Sequence, residues 1–146
     1  MSTDRTYVER NRAATDRLRA LAAAHTDAEL QQPVGAHWTV AIALVHLAFW
    51  DRRVLALLDA ADAAGDVVDM PIDLAVNDIL LPLWAAIPPR AAATLAITSA
   101  ETLDRRLAEL PPARLEHLRT RSEHWIDRSL HRHTHLDEVE AALKRL

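Results

Sequence analysis

Two histidines one helical turn apart stand near the end of the chain. His131 and His135 are four residues apart, so on a helix their Cβ atoms lie about 5–6 Å apart on one face. Neutral imidazole is a common ligand of zinc and other divalent transition metals. The pair therefore predicts one edge of a metal site, whereas His133 would point to the far side of the same helix.

A third histidine, His46, interrupts the apolar run from Val40 to Trp50. Burying an imidazole among apolar side chains costs free energy unless its nitrogens find partners. If the helix that carries His46 packs against the helix that carries the pair, one metal ion would satisfy all three rings. Two simpler alternatives stay open: the pair lies on a solvated helix face, and a carbonyl or carboxylate group satisfies His46.

Four long amphipathic helices are predicted to position these histidines. Their expected bounds are Thr3 or Asp4 to near His25, Thr39 to about Asp62, Pro89 to about Leu110, and Ser122 to Leu146. The segment 63–71 is predicted to be a loop, and 72–87 a shorter helix that Pro82 kinks or divides. The segment 113–121 is expected to be a basic connection without defined structure.

The fold class that follows is all-α, with residues 1–146 forming a single domain. Four amphipathic helices close most economically as a bundle, and the long connection after the second helix is able to cross that bundle from end to end. We therefore expect an up-down-down-up four-helix bundle whose crossover contains a short extra helix. In that arrangement His46, His131 and His135 can lie at one level.

Composition excludes several function classes. The chain has 17 Lys and Arg against 21 Asp and Glu, for a net charge of −4, and the basic residues are not clustered, which argues against nucleic-acid or membrane partners. Because the chain has no cysteine, it has neither a disulfide nor a thiolate nucleophile of its own. The polar segment 1–12 and the lack of an apolar run of about 20 residues predict a soluble, cytoplasmic protein.

Residues close to His46 in helical phase are candidates for a substrate pocket. Trp50 and Arg53 lie four and seven positions after His46, and we predict that both contact the substrate; a core indole and a surface guanidinium are the alternatives. Asp51 is expected to be a carboxylate on the helix surface, while Asn77 and Asp78 can reach the pocket from the crossover. The sequence identifies no catalytic acid or base.

The order and spacing of several short motifs resemble those of a known superfamily. These motifs are Trp38-Thr39-Val40, His46-Leu47-Ala48 with Trp50-Asp51, Val76-Asn77, and His131-x-x-x-His135. Together they resemble the DinB superfamily, and within it the N-terminal domains of mycothiol-dependent maleylpyruvate isomerases. The resemblance covers nearly the whole chain.

The resemblance implies a bundle that binds a divalent metal, zinc or nickel, through positions matching His46, His131 and His135. It also implies a thiol transferase or isomerase that uses mycothiol or another small thiol, or a metal-dependent hydrolase, acting on a small-molecule substrate.

Homodimers are expected from the same resemblance, with Leu80, Leu81 and Trp84 available either for that interface or for the core. Maleylpyruvate isomerisation itself is not expected, because the resemblance is confined to one domain of that enzyme. A non-catalytic bundle that binds a small apolar ligand or serves as a dimerisation module is the alternative from another class.

Overall fold

The computed structural model describes residues 4–146, and this part of the chain is mostly helical, which confirms the predicted all-α class in its coarse form. It contains seven α-helices: α1 (Thr6–Ala24), α2 (Val40–Ala64), α3 (Val76–Ile79), α4 (Leu81–Ala85), α5 (Pro89–Ala108), α6 (Pro112–Arg121) and α7 (Ser129–Leu143). Short 3₁₀ turns occupy Glu29–Gln31 and Glu123–Trp125. Of the two predicted caps of α1, Thr3 lies outside the described residues, and the Asp4 carboxylate accepts the backbone N–H of Thr6 at 2.8 Å.

A two-residue β-hairpin leads directly into α2. Strand β1 (Pro33–Val34) pairs antiparallel with β2 (Trp38–Thr39), and the turn between them uses Gly35 at φ +67°, a left-handed conformation that favours glycine. Thr39 caps α2 as predicted, since its hydroxyl accepts the N–H of Ile42 at 3.2 Å. The hairpin therefore fixes Trp38 at the first turn of the helix that carries His46.

The crossover between α2 and α5 contains two short helices rather than one. Pro82 lies in the first turn of α4, where a missing N–H costs nothing, so the predicted division at this proline is confirmed. Trp84 is 6% exposed and packs with Leu80 and Leu81 against α2. These apolar residues of the crossover thus contribute to the core within the chain.

The C-terminal third differs from the prediction in two places. The expected irregular connection over 113–121 is wrong, because α6 occupies it and buries Leu115 and Leu118. The last helix was predicted to begin at Ser122 and to run to Leu146, but α7 begins at Ser129 and ends at Leu143. In the turn before α7, the Asp127 carboxylate accepts the N–H of Ser129 at 3.0 Å, and Arg128 is the N-cap of the helix.

The main core is aliphatic and draws its side chains from α1, α2, α5 and α7. Two contacts define how α2 lies against α5: Arg52 donates to the Ser99 hydroxyl at 3.1 Å, and Arg106 to the Asp59 carboxylate at 2.8 Å. Residue numbers rise together along both helices, so α2 and α5 run in the same direction. Within residues 4–146, no helix is both long and apolar enough to cross a membrane.

Candidate metal centre

Helices α2 and α7 bring the three predicted histidines into one cluster. His46 faces His131, with 3.2 Å between their Nε2 atoms, and one turn along, Asp51 faces Arg128. Because residue numbers rise on one helix as they fall on the other, the two helices are antiparallel. One ligand atom each of His46, His131 and His135 lies within 4.8 Å of the other two. Their role as metal ligands stays a prediction.

The surroundings of the cluster keep the imidazoles neutral. His46 is 5% exposed, and its ring lies 4.8 Å from the ring of Trp38 and 5.9 Å from that of Trp84. Burial lowers the pKa of His46 to about 4. Burial, and then the charge of Arg128, lower the pKa of His131 to about 2, and burial also lowers the pKa of His135. Near pH 7 all three rings are therefore neutral, which is the charge state in which an imidazole binds a metal.

One of the three separations between donor atoms, that of His46 and His131, matches the value expected in a tetrahedral metal centre. Two nitrogens bound at 2.0–2.1 Å with a tetrahedral angle lie about 3.3 Å apart, and the Nε2 atoms of His46 and His131 are 3.2 Å apart. Nδ1 of His135 is buried and has no hydrogen-bond partner among the described residues; a carboxylate oxygen of Glu138 lies 3.6 Å from it, too far for a hydrogen bond. A set of three imidazoles is also typical of zinc sites that keep one position open.

The cluster forms one wall of a cavity of about 530 Å³. The rest of the wall is mainly apolar and comes from Trp38, Trp50, Leu74 and Leu130, with three polar members, Asn77, His124 and Arg128. The Trp50 indole donates to Oδ1 of Asn77 at 3.0 Å, which ties the crossover to α2 beside the cavity. The volume and the apolar lining are those of a small-molecule site. Trp50 and Asn77 therefore lie where the sequence suggested.

Arg53 lies elsewhere. It is absent from the cavity wall: its guanidinium donates to the Met70 carbonyl at 2.7 Å and lies 5.9 Å from the centre of the Trp50 ring. Asp78 is exposed and also absent from the wall. Arg53 thus contacts the cavity only indirectly, through the Trp50 ring and through Met70 in the loop before α3.

The expectation that Asp51 lies on the helix surface is wrong. Asp51 is 1% exposed and accepts from Nε of Arg128 at 3.0 Å and from Nε of Arg132 at 3.1 Å. Arg132, itself 1% exposed, also contacts Asp104 at 2.8 Å. Two arginines and two carboxylates therefore form a buried network directly behind the histidines.

Arg128 connects this network to the cluster. Its NH2 group lies 3.3 Å from Nδ1 of His131, and its NH1 group donates to the His124 carbonyl at 3.0 Å. Sequence reasoning missed Arg128. The available signal was its position three residues before His131, which places both on one face of a helix.

One comparison with known proteins gives a match. The model of the family described as the mycothiol maleylpyruvate isomerase N-terminal domain matches residues 11–141. This range includes all three histidines, the residues of the cavity wall and the buried network. No curated protein and no solved structure showed a significant match to the chain.

Proposed function

Because the chain belongs to the family of the mycothiol maleylpyruvate isomerase N-terminal domain, which is DinB-like, we propose that it is a metal-dependent enzyme. Its reaction is the transfer of a low-molecular-weight thiol, mycothiol or a similar one, to an electrophilic small molecule, or an isomerisation that uses such a thiol. The observation that carries the proposal is the cluster of His46, His131 and His135 in the wall of an apolar cavity. Zinc or nickel is the proposed ion.

The proposal includes the up-down-down-up bundle as a single domain over residues 1–146. The parallel course of α2 and α5 and the antiparallel course of α2 and α7 support it. Two contacts give the relative direction of α1 and α5. The Tyr7 hydroxyl donates to the Leu107 carbonyl at 2.7 Å, and Arg90 donates to the Ala22 carbonyl at 2.8 Å. These two helices are therefore antiparallel.

The protein's own residues have defined tasks in this reaction. The three neutral imidazoles hold the ion, and Trp38 and Trp50 hold the apolar part of the substrate against it. A divalent ion with three protein ligands lowers the pKa of a thiol or water in its remaining position, so that a nucleophile forms near neutral pH. Since the chain has no cysteine, the sulfur must come from a bound thiol.

The test is thiol conjugation by protein loaded with zinc or with nickel. A reporter that becomes fluorescent when a thiol sulfur attacks its electrophilic carbon and forms a C–S bond is offered with mycothiol, cysteine or glutathione. We expect the loaded protein to accelerate the reaction with at least one thiol, and His135→Ala to abolish the acceleration. His133→Ala is the matched control, because His133 lies on the same helix and contacts Arg17 rather than the cavity.

Three outcomes would contradict the proposed thiol transfer. Hydrolysis of an activated ester without any thiol would indicate a metal-dependent hydrolase of the same fold. Binding of an apolar dye that is indifferent to metal and to His135→Ala would indicate a non-catalytic ligand-binding bundle. Equal rates for the His133→Ala and His135→Ala proteins would show that the cluster takes no part in the reaction.

A further inference from the structure

The guanidinium of Arg128 lies on the opposite side of the His131 ring from the proposed ion. Its NH2 group is 3.3 Å from Nδ1 of His131, whereas Nε2 of the same ring lies 3.2 Å from Nε2 of His46. The ring is therefore held between a guanidinium and a second imidazole. Within residues 4–146, neither His46 nor His135 has a guanidinium in hydrogen-bond contact.

Hydrogen-bond chemistry assigns the proton on this ring. A guanidinium is only a donor, so Nδ1 of His131 must be the acceptor, and a neutral imidazole carries a single N–H. The hydrogen of His131 is thus on Nε2, the nitrogen that faces the cluster and that a metal would need. A metal bound there would leave the ring hydrogen on Nδ1, where it would face the N–H of Arg128.

Arg128 is anchored against moving away. Its side chain is 7% exposed, and its Nε and NH1 groups donate to the Asp51 carboxylate and the His124 carbonyl at 3.0 Å each. Its backbone N–H donates to Oδ1 of Asn11 at 2.8 Å. The contact with His131 is therefore fixed by groups from α2, from α1 and from the turn before α7.

The surroundings of the other two rings differ. Nδ1 of His46 is buried and has no hydrogen-bond partner among residues 4–146, so no donor opposes a hydrogen at that position. Nδ1 of His135 is likewise buried without a hydrogen-bond partner among residues 4–146, and the Glu138 carboxylate oxygen lies 3.6 Å from it, so no donor opposes a hydrogen there either. Only His131 is held in the tautomer that competes with the ion.

We propose that Arg128 is a positioning residue that holds His131 in the Nε2–H tautomer and makes His131 the weakest and most exchangeable of the three ligands. This inference rests on the proposed metal site for its functional meaning. The tautomer itself does not depend on any metal. The site would hold its ion mainly through His46 and His135, with His131 as the ligand that is most easily displaced.

The first experiment is a double-mutant cycle on metal affinity. Dissociation constants for zinc are measured by competition with a chromophoric chelator in the wild type and in Arg128→Gln, His131→Glu and the double variant. The glutamine oxygen can accept a hydrogen from Nδ1, so we expect Arg128→Gln to tighten binding about 10–100-fold, the range in which outer partners act. In the His131→Glu background, Arg128→Gln should instead weaken zinc binding, because a glutamate ligand is oriented better by a guanidinium donor than by a glutamine amide. Weaker or unchanged affinity of Arg128→Gln in the His131 background would overturn the proposal.

The second experiment needs no variant and no metal. In metal-free wild-type protein labelled with ¹⁵N in its histidines, the ring nitrogen shifts distinguish the two neutral tautomers. We expect His131 as the Nε2–H form; the Nδ1–H form would refute the inference even if Arg128→Gln does not fold. If zinc does not bind at all while the Nε2–H tautomer is found, the proposed function fails and the assignment of Arg128 stands.

Discussion

Replacing Asp51 by asparagine tests whether the buried network stabilises the fold behind the histidines. The substitution removes the charge that faces Arg128 and Arg132 while it keeps the size of the side chain. Asp51 and Arg132 are each 1% exposed. Water therefore cannot solvate the guanidinium groups that lose the negative charge of Asp51. Breaking a buried ion pair by removing one partner costs about 3–5 kcal/mol. For a domain of this size the melting temperature should then fall by about 6–20 °C.

Asp59→Asn is the matched control for this prediction. It is the same substitution on the same helix, and Asp59 also pairs with an arginine, Arg106, but its side chain is 69% exposed. Exposed pairs contribute about 0–1 kcal/mol. Urea unfolding of both variants, with the midpoint and slope analysed together, measures the difference. Equal destabilisation of the two variants, or a loss below about 1 kcal/mol for Asp51→Asn, would refute the reasoning.

Two further predictions concern the metal-free protein. Folding lowers the pKa of His46 from 6.5 to about 4. Between pH 6.5 and pH 4, His46 therefore binds a proton in the unfolded chain but not in the folded chain. Stability should therefore fall as the pH falls from 6.5 towards 4, by about 2 kcal/mol at pH 5 from His46 alone; a constant melting temperature from pH 7 to pH 5 would contradict this. Trp50→Phe removes the indole N–H that Asn77 accepts and should cost about 0.5–1.5 kcal/mol and speed hydrogen exchange in 76–79; unchanged exchange there would argue against this contact.

The sequence could predict those parts of the site that depend on local periodicity. Helical phase alone separates His133 from His131 and His135, and the apolar run around His46 identifies a buried helix. The cap at Thr39 and the break at Pro82 are also local signals, because each acts on backbone groups within a few residues. For the same reason the all-α class is evident from composition and capping patterns.

The buried network could not be predicted in this way. Whether Asp51 faces solvent or Arg132 depends on how α2 is rotated against α7, and no pattern within either helix determines that rotation. A carboxylate beside Arg52 and Arg53 suggested a charged surface, but its partners are 77 and 81 residues further along the chain. The start of α7 was misplaced for a different reason: Ser122 has the features of a helix cap, but it precedes the 3₁₀ turn Glu123–Trp125, and α7 begins at Ser129 after Arg128.

Metal stoichiometry is the most direct test of the proposed centre. Protein is loaded with zinc or nickel, freed of loosely bound ions by gel filtration and analysed for metal per chain, with His46→Ala and His135→Ala beside His133→Ala. We predict about one ion per chain in the wild type and in His133→Ala, and a large loss in the other two variants. Wild-type protein that retains no ion, or equal metal content in all four proteins, would contradict the account.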